Sequence, residues 1–304
     1  MSKFGSLLDL GDIRNYLYKN FPHKSKDVLP KEYKVKNTVL NIKDQKEFNA
    51  CVGFACSSLI EIFNRLEFGN TVAMSPFYIY GKHRNYKDEG MYLGRTLHYL
   101  MSEGTVSSVD FSDEGEMPEI QDKVKKYVEI HPEMIEIAKK FKIGGYVDLI
   151  SNDEKNKKEN IKRSLFDFDY PIIAVTDHFG GYHCVLIDGW KDDIFYVPNS
   201  WGYDNGDNGY DEISQDSIVE AYLVIDEKSA NLDFEDLTEN HPLFKEIKSL
   251  YFTGVLEPDS EKLFNPDREM TKAEVAKAIY NNNKIIQGKI DKIFELISSI
   301  RPSE

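Results

Sequence analysis

Four residues scattered along the chain are of the types that carry out covalent acyl chemistry. Cys51 stands where a polar loop carrying Gln45 gives way to an apolar run at helical spacing: Val52, Phe54, Ala55, Leu59, Ile62 and Phe63. A thiol on the first turn of a helix meets unpaired backbone N–H groups and the positive end of the dipole, and both favour its thiolate. Such a thiolate becomes a nucleophile when a base is brought to it in space. His183 opens an apolar strand in Gly180-Gly181-Tyr182-His183-Cys184-Val185-Leu186-Ile187, and Asn199 begins Asn199-Ser200-Trp201-Gly202. His178 is the rival base. It lies five residues before His183, so on one regular strand the two face opposite ways. Cys56 falls about 500° round the helix from Cys51, off its face. Cys184 points away from His183 on the strand. Both read as small buried hydrophobes.

The order Gln45, Cys51, His183, Asn199-Ser200-Trp201-Gly202, then Asn208-Gly209-Tyr210, resembles the papain family of cysteine peptidases. In that family the His and Asn follow the Cys by about 130–150 residues, as they do here. The resemblance spans roughly 29–226. It implies a Cys51–His183–Asn199 triad, with Gln45 and the Cys51 backbone N–H as oxyanion hole. It also implies that the loop Asp88-Glu89-Gly90 lines one wall of a substrate cleft, with Gly181, Tyr182 and Trp201 on the other side. Trp201 is expected to shield the His–Asn hydrogen bond from water. No metal or organic cofactor is implied. Val52 and Gly53 depart from the family pattern beside the nucleophile. Asn205 stands where a second Trp is frequent, and Phe48 where many members place a disulfide cysteine.

The elements needed to position these residues are legible in outline. The resemblance implies an α+β fold of two lobes, one helical and one antiparallel β, with the cleft between them. Asn37 to Ile42 alternates and reads as a short strand. Ser75 caps a helix beginning at Pro76, and Met91 to Met101 reads as an amphipathic helix closed by Gly104. Residues 130–141 and 161–168 read as helical, and the stretch 105–160 is otherwise poor in pattern. Strands are expected at Pro171–Val175, Phe179–Trp190, Ile194–Pro198, Tyr210–Ile213 and Ala221–Ile225.

Length and charge bound the rest. A chain of 304 residues exceeds one usual domain. A net charge of −14 argues against a nucleic-acid footprint, which needs a basic face. No window reaches the ~20 apolar residues of a membrane span. The first ten residues lack a continuous apolar h-region, so no secretion signal is read there. Three cysteines cannot all pair, which fits a reducing, cytoplasmic setting.

Residues 1–28 form an extension before the papain-like domain (29–226), and 227–240 read as an acidic linker. Residues 241–304 form a third piece. Its Phe264-Asn265-Pro266-Asp267 loop and Thr271-Lys272-Ala273-Glu274 resemble one S-layer homology repeat, a module that implies a cell-wall polymer partner and cell-surface association. Thr271 and Glu274 also make a capping box, and Lys272 offers no planar fork to an anionic ligand. Ile286, Ile290, Ile293, Ile297 and Ile300 form a short stripe, to be packed on their own domain or used as a dimer seam.

Two function classes follow. One is a cysteine endopeptidase acting on protein or peptide; transpeptidation would use the same residues. The other is a papain-like scaffold that binds peptide or cell wall without turnover. A thiol enzyme without a long propeptide also needs restraint. Residues 1–28 or the C-terminal module with its isoleucine stripe could provide it; the first is favoured, because Phe4, Leu7, Leu8 and Leu10 need an apolar surface and the cleft's helical wall supplies one.

Overall fold

The computed structural model describes residues 5–7, 28–39, 41–83, 90–112, 131–150, 154–226 and 263–281, with residues 16–17, isolated positions between 119 and 126 and between 235 and 260, and residue 283. The chain forms two compact units: residues 1–9 with 23–229, and residues 10–22 with 230–304.

The first unit is mixed helix and antiparallel sheet. Its central helix α1 (Cys51–Phe68) is buried on nearly every residue from Cys51 to Asn64. It packs on helix α2 (Pro76–His83) and on the sheet behind it. Gly53 explains the close approach of α2. A side chain there would put Cβ 2.7 Å from the Pro76 carbonyl. The bare Gly53 therefore lets α2 pack tightly on the helix that begins at Cys51. Phe48 sits edge-on to Phe77 at 5.0 Å, and Phe54 at 5.3 Å, so aromatic packing holds the loop before Cys51. Ser75 caps α2 as expected, its hydroxyl accepting from Tyr78 N–H.

Two sheets make up the other half. In one, β4 (Ile143–Asp148), β10 (Ile218–Asp226), β5 (Ile172–Thr176) and β6 (His183–Ile187) run in that order, all antiparallel. In the other, β9 (Tyr210–Ser214), β8 (Ile194–Pro198), β7 (Gly189–Lys191) and β2 (Glu32–Lys34) run antiparallel. Among its described residues the unit also holds helices α3 (Leu93–Ser102), α4 (Glu133–Ala138) and α5 (Lys157–Phe168). Two remaining strands, β1 (Ser6–Leu7) and β3 (Met91–Tyr92), pair in parallel.

Several expectations change. The single strand expected over Phe179–Trp190 is two strands in different sheets, β6 and β7, separated by Asp188. That buried carboxylate takes the Thr38 hydroxyl and Lys34, and its backbone bonds Val35 and Tyr196, which forces the chain to change sheets. The alternating run 37–42 forms no strand in its described residues, 37–39 and 41–42. Its polar groups are claimed from the side: Asn37 donates to the Asp169 carbonyl, and Arg65 to that of Thr38. Met91 and Tyr92 are drawn out of the expected helix by β1, so α3 starts at Leu93. The helix expected over 130–141 is helical only from Glu133 and ends in a 3-10 turn at Phe141. Strand β4 went unread because its Gly-Gly pair hides the alternation.

In the second unit, Thr271 and Glu274 make the expected capping box, Glu274 N–H to Thr271 Oγ1 at 3.2 Å and Thr271 N–H to Glu274 Oε2 at 2.7 Å. Arg268 forks onto both Asp259 and Glu274. Asp236 accepts from the Phe264 and Asn265 N–H groups. The isoleucine stripe of 285–300 lies outside the described residues. Among the described residues no helix is long and apolar enough to cross a membrane.

One buried ion pair supports α1 from below. Lys43 Nζ lies 2.8 Å from Glu61 and 2.7 Å from the Ser57 hydroxyl, and Glu61 also accepts from Met74 N–H at 2.8 Å. Removing one member of such a pair leaves a buried charge alone, at a cost of about 3–5 kcal/mol. Lys43→Met should therefore lower urea stability by roughly that much. The double variant Lys43→Met/Glu61→Leu should recover part of the loss. Tryptophan fluorescence is the readout, since both tryptophans, Trp190 and Trp201, lie in this unit.

Candidate active site

Cys51 is the first residue of α1, and its Sγ is fully buried. No side chain caps this helix end, so its first-turn N–H groups are left for the sulfur. Backbone N–H groups of Val52, Cys184 and Gly5 all favour the thiolate, yet burial outweighs them and pushes the thiol up to about 11. Because Cys184 follows His183, that contact sets the nucleophile against the start of β6.

His183 is wholly buried. Its Nε2 lies 2.8 Å from Asn199 Oδ1. The Trp201 ring stacks on the imidazole at 4.5 Å and 29°, and Phe179 meets both rings edge-on. Trp201 thus covers the His–Asn pair as expected. Burial holds His183 down at about 4, against the opposing pulls of Asn199 and Asp211. His178, by contrast, is exposed on the turn before β6. Cys56 and Cys184 are buried, and desolvation pushes both thiols up.

Gln45 is fully buried beside this group. Its Oε1 accepts from Ser200 Oγ at 2.6 Å, and its Nε2 donates to the Phe48 carbonyl at 2.7 Å. The backbones of the two loops are stitched as well, by Gln45 N–H to Ser200 O at 2.8 Å and Gly202 N–H to Lys43 O at 3.0 Å. Glutamine, cysteine, histidine and asparagine therefore converge from a loop, a helix, a strand and a second loop.

The expected cleft walls fall as follows. Asp88 and Glu89 lie outside the described residues. Gly90 turns at φ +94°. Tyr182 is exposed, Gly181 half-buried. Between Gly90 and Tyr182 runs the chain's own β1. Met91 N–H donates to Gly5 O at 2.7 Å, and Ser6 N–H to Tyr182 O at 3.3 Å. A Cβ on Gly5 would sit 1.9 Å from the Asn49 carbonyl oxygen, and one on Gly90 would sit 2.2 Å from Gly5 O. Of the apolar side chains expected to seat this extension, Phe4, Leu8 and Leu10 lie outside the described residues, and Leu7 is half-buried. Backbone hydrogen bonds and the bareness of Gly5 seat it.

The fold of this chain is similar to that of several solved structures. Xylellain, a cysteine protease from Xylella fastidiosa, superposes with a TM-score of 0.59 at 20% identity, covering 74% of this chain and 96% of that one. The first unit has a papain-like fold. Procathepsin B S9 from Trypanosoma congolense matches at TM-score 0.54 and 14% identity, over 72% of this chain and 85% of its own. Digestive procathepsin L 3 of Tenebrio molitor larval midgut matches at 0.50 and 17%, over 71% and 77%. Residues 233–276 match the family model of the S-layer homology domain. No curated protein matches the chain by sequence.

Three participants in the papain-like site were not read from the sequence: Gly5, Asn49 and Asp211. Asp211 alone carried a signal, an acidic residue following Asn208-Gly209-Tyr210 onto a strand.

The two histidines should separate in stability and in its pH dependence. His183→Ala removes a buried partner of Asn199 and should cost about 1–3 kcal/mol at pH 7, whereas His178→Ala should stay within about 0.5 kcal/mol. The folded pKa of His183 is depressed from 6.5 to about 4. Its neutral form therefore stabilises the fold fully above pH 6.5, and that contribution is lost as pH falls toward 4. Urea titrations of both variants from about one pH unit above the ordinary His value down to the depressed value of about 4 check this: the penalty of His183→Ala should shrink on acidification.

Proposed function

We propose that the papain-like unit is a cysteine peptidase, held latent by residues 5–7 lying in its own cleft. The observation that carries the reading is the buried His183, bonded to Asn199, beside a thiol that lies against the backbone of Cys184. Cys51 would attack a peptide carbonyl as thiolate while His183, as imidazolium, stabilises it and then protonates the leaving amine. Asn199 fixes the imidazole without adding charge. Gln45 Nε2 carries two N–H groups, one directed at Phe48. The other, with the Cys51 backbone N–H, would receive the oxyanion, one such donor being worth roughly 10²–10³ in kcat.

Latency is the state that burial favours. With the segment seated, water is excluded, the thiol rises to about 11 and the imidazole falls to about 4. Both are then neutral at pH 7. Withdrawal of β1 would rehydrate the pair and restore the charged couple. A peptide substrate would take over the backbone rungs now used by Gly5 and Ser6, those of Met91 and Tyr182. The 233–276 module would hold the enzyme to cell-surface polymer. Arg268 is committed to Asp259 and Glu274, so polymer contact would fall to other exposed groups.

Gly5→Val tests the reading in the full-length protein. The added side chain would enter the Asn49 backbone, and overpacking of this kind costs about 1–3 kcal/mol, so kcat/KM on a fluorogenic peptide should rise about tenfold or more. Adding Cys51→Ala should abolish that activity, whereas adding Cys56→Ala should leave it. Turnover persisting without Cys51 would overturn the mechanism. Unchanged kinetics in Gly5→Val would overturn the latency.

A further inference from the structure

We infer that Asp211 is a positioning residue that fixes the imidazole tautomer of His183 through the side-chain amide of Asn199; this rests on the triad reading above. An asparagine amide can be turned either way, and only one way presents an acceptor to the imidazole. Here the choice is forced. Asn199 Nδ2 lies 2.7 Å from Asp211 Oδ2, and a carboxylate only accepts. The amide oxygen must then face the other way, where it takes His183 Nε2 at 2.8 Å and the Ser200 N–H at 2.7 Å. An oxygen acceptor at Nε2 requires that Nε2 carry the proton. Nδ1 is thereby left as the nitrogen that exchanges a proton with Cys51.

The loop around Asp211 is shaped to hold that carboxylate in place. Asn205, at the position where the sequence departs from the family's second Trp, donates its Nδ2 to the same Oδ2 at 2.8 Å. Gly206 turns at φ +56°, and a Cβ there would sit 2.1 Å from the Tyr210 carbonyl and 2.7 Å from Asp211 Oδ1. Asn199 N–H bonds Gly209 O at 2.9 Å, and Gly209 N–H bonds Asn205 O at 2.8 Å, which closes the loop on itself. Asp211 lies opposite Val197 in the β8–β9 ladder, two residues before Asn199. Sheet register thus sets the distance from carboxylate to amide.

The charge has a second effect. Asp211 is an anion two hydrogen bonds from His183, and it favours the imidazolium against the burial that disfavours it. The other ionisable groups around the ring are Cys51 on α1, Cys184 and His178 on its own segment, and Asp44, whose backbone bridges to Trp201. None of them bonds Asn199 in the way Asp211 does.

Histidine-selective ¹⁵N NMR on the full-length protein at pH 7 tests the inference without needing turnover. His183 is assigned from the signal lost in His183→Gln. The wild-type protein should show the Nε2–H tautomer alone. Asp211→Ala should add a substantial Nδ1–H population, because the Asn199 amide is released to turn. Asp211→Asn keeps shape and removes the acceptor-only restriction, so a second tautomer should appear there too; this variant decides the matter should Asp211→Ala fail to fold. A single unchanged Nε2–H signal in a folded Asp211 variant would overturn the inference. In the Gly5→Val background, Asp211→Asn should also lower kcat on the order of 10²-fold with KM little changed, less than the ~10⁴ lost when a serine triad's own carboxylate is neutralised. The alkaline limb of its kcat/KM profile should move to lower pH, since the imidazolium has lost an anion. A structural role alone would move neither tautomer nor limb. Were Gly5→Val inactive while the tautomer still followed residue 211, the peptidase reading would fail and the positioning role would stand.

Discussion

The site depends on one piece of packing: the first turn of α1 set against the first residue of β6. Cys51 and His183 are the end residues of their elements and both are wholly buried. Everything near them serves to hold that junction. Gly53 lets α2 close on α1, Lys43 and Glu61 neutralise each other beneath it, and the stitches between residues 43–45 and 200–202 bring the asparagine loop over the imidazole. A junction so dry costs the reactive groups their charge. The thiol rises and the imidazole falls until the pair is neutral, which suits a resting state.

Charge in such a site has to be restored by placement, since water is excluded. Three kinds of partner are in place. Backbone N–H groups at the helix start favour the thiolate. The Trp201 ring covers the imidazole and keeps the His–Asn bond dry, where it is electrostatically stronger. The Asp211 carboxylate, one residue further out, orients the amide that orients the ring. The Gly5 N–H is a fourth partner, since it favours the same sulfur.

Much of this was legible in the sequence, for physical reasons that can be named. Cys51 and His183 were readable because each sits where a polar stretch meets an apolar periodic run, and that boundary marks the end of an element. Asn199 was readable from its neighbours Ser200, Trp201 and Gly202. The choice of His183 over His178 followed from the Gly180-Gly181 before it and the apolar run after it, which resemble the papain family, and it agrees with burial and with the Asn199 bond. What was not legible depends on contacts between distant backbones. Asn37–Ile42 alternates like a strand, but Asn37 donates to the distant Asp169 carbonyl and Arg65 takes the carbonyl of Thr38. Phe179–Trp190 reads as one run, yet the buried Asp188 splits it between sheets. The seat of residues 5–7 rests on the missing side chain of Gly5, a property no hydropathy pattern records.

The central claim is that Cys51 is the reactive thiol and that Gly5 screens it. Reaction of the folded full-length protein with a thiol-directed peptidyl epoxide, mapped by peptide mass spectrometry over Cys51, Cys56 and Cys184, tests it most directly. The account predicts slow labelling of the wild-type protein and fast labelling confined to Cys51 in Gly5→Val. Equal labelling of Cys51 in the two proteins, or modification that falls first on Cys56 or Cys184, would contradict it.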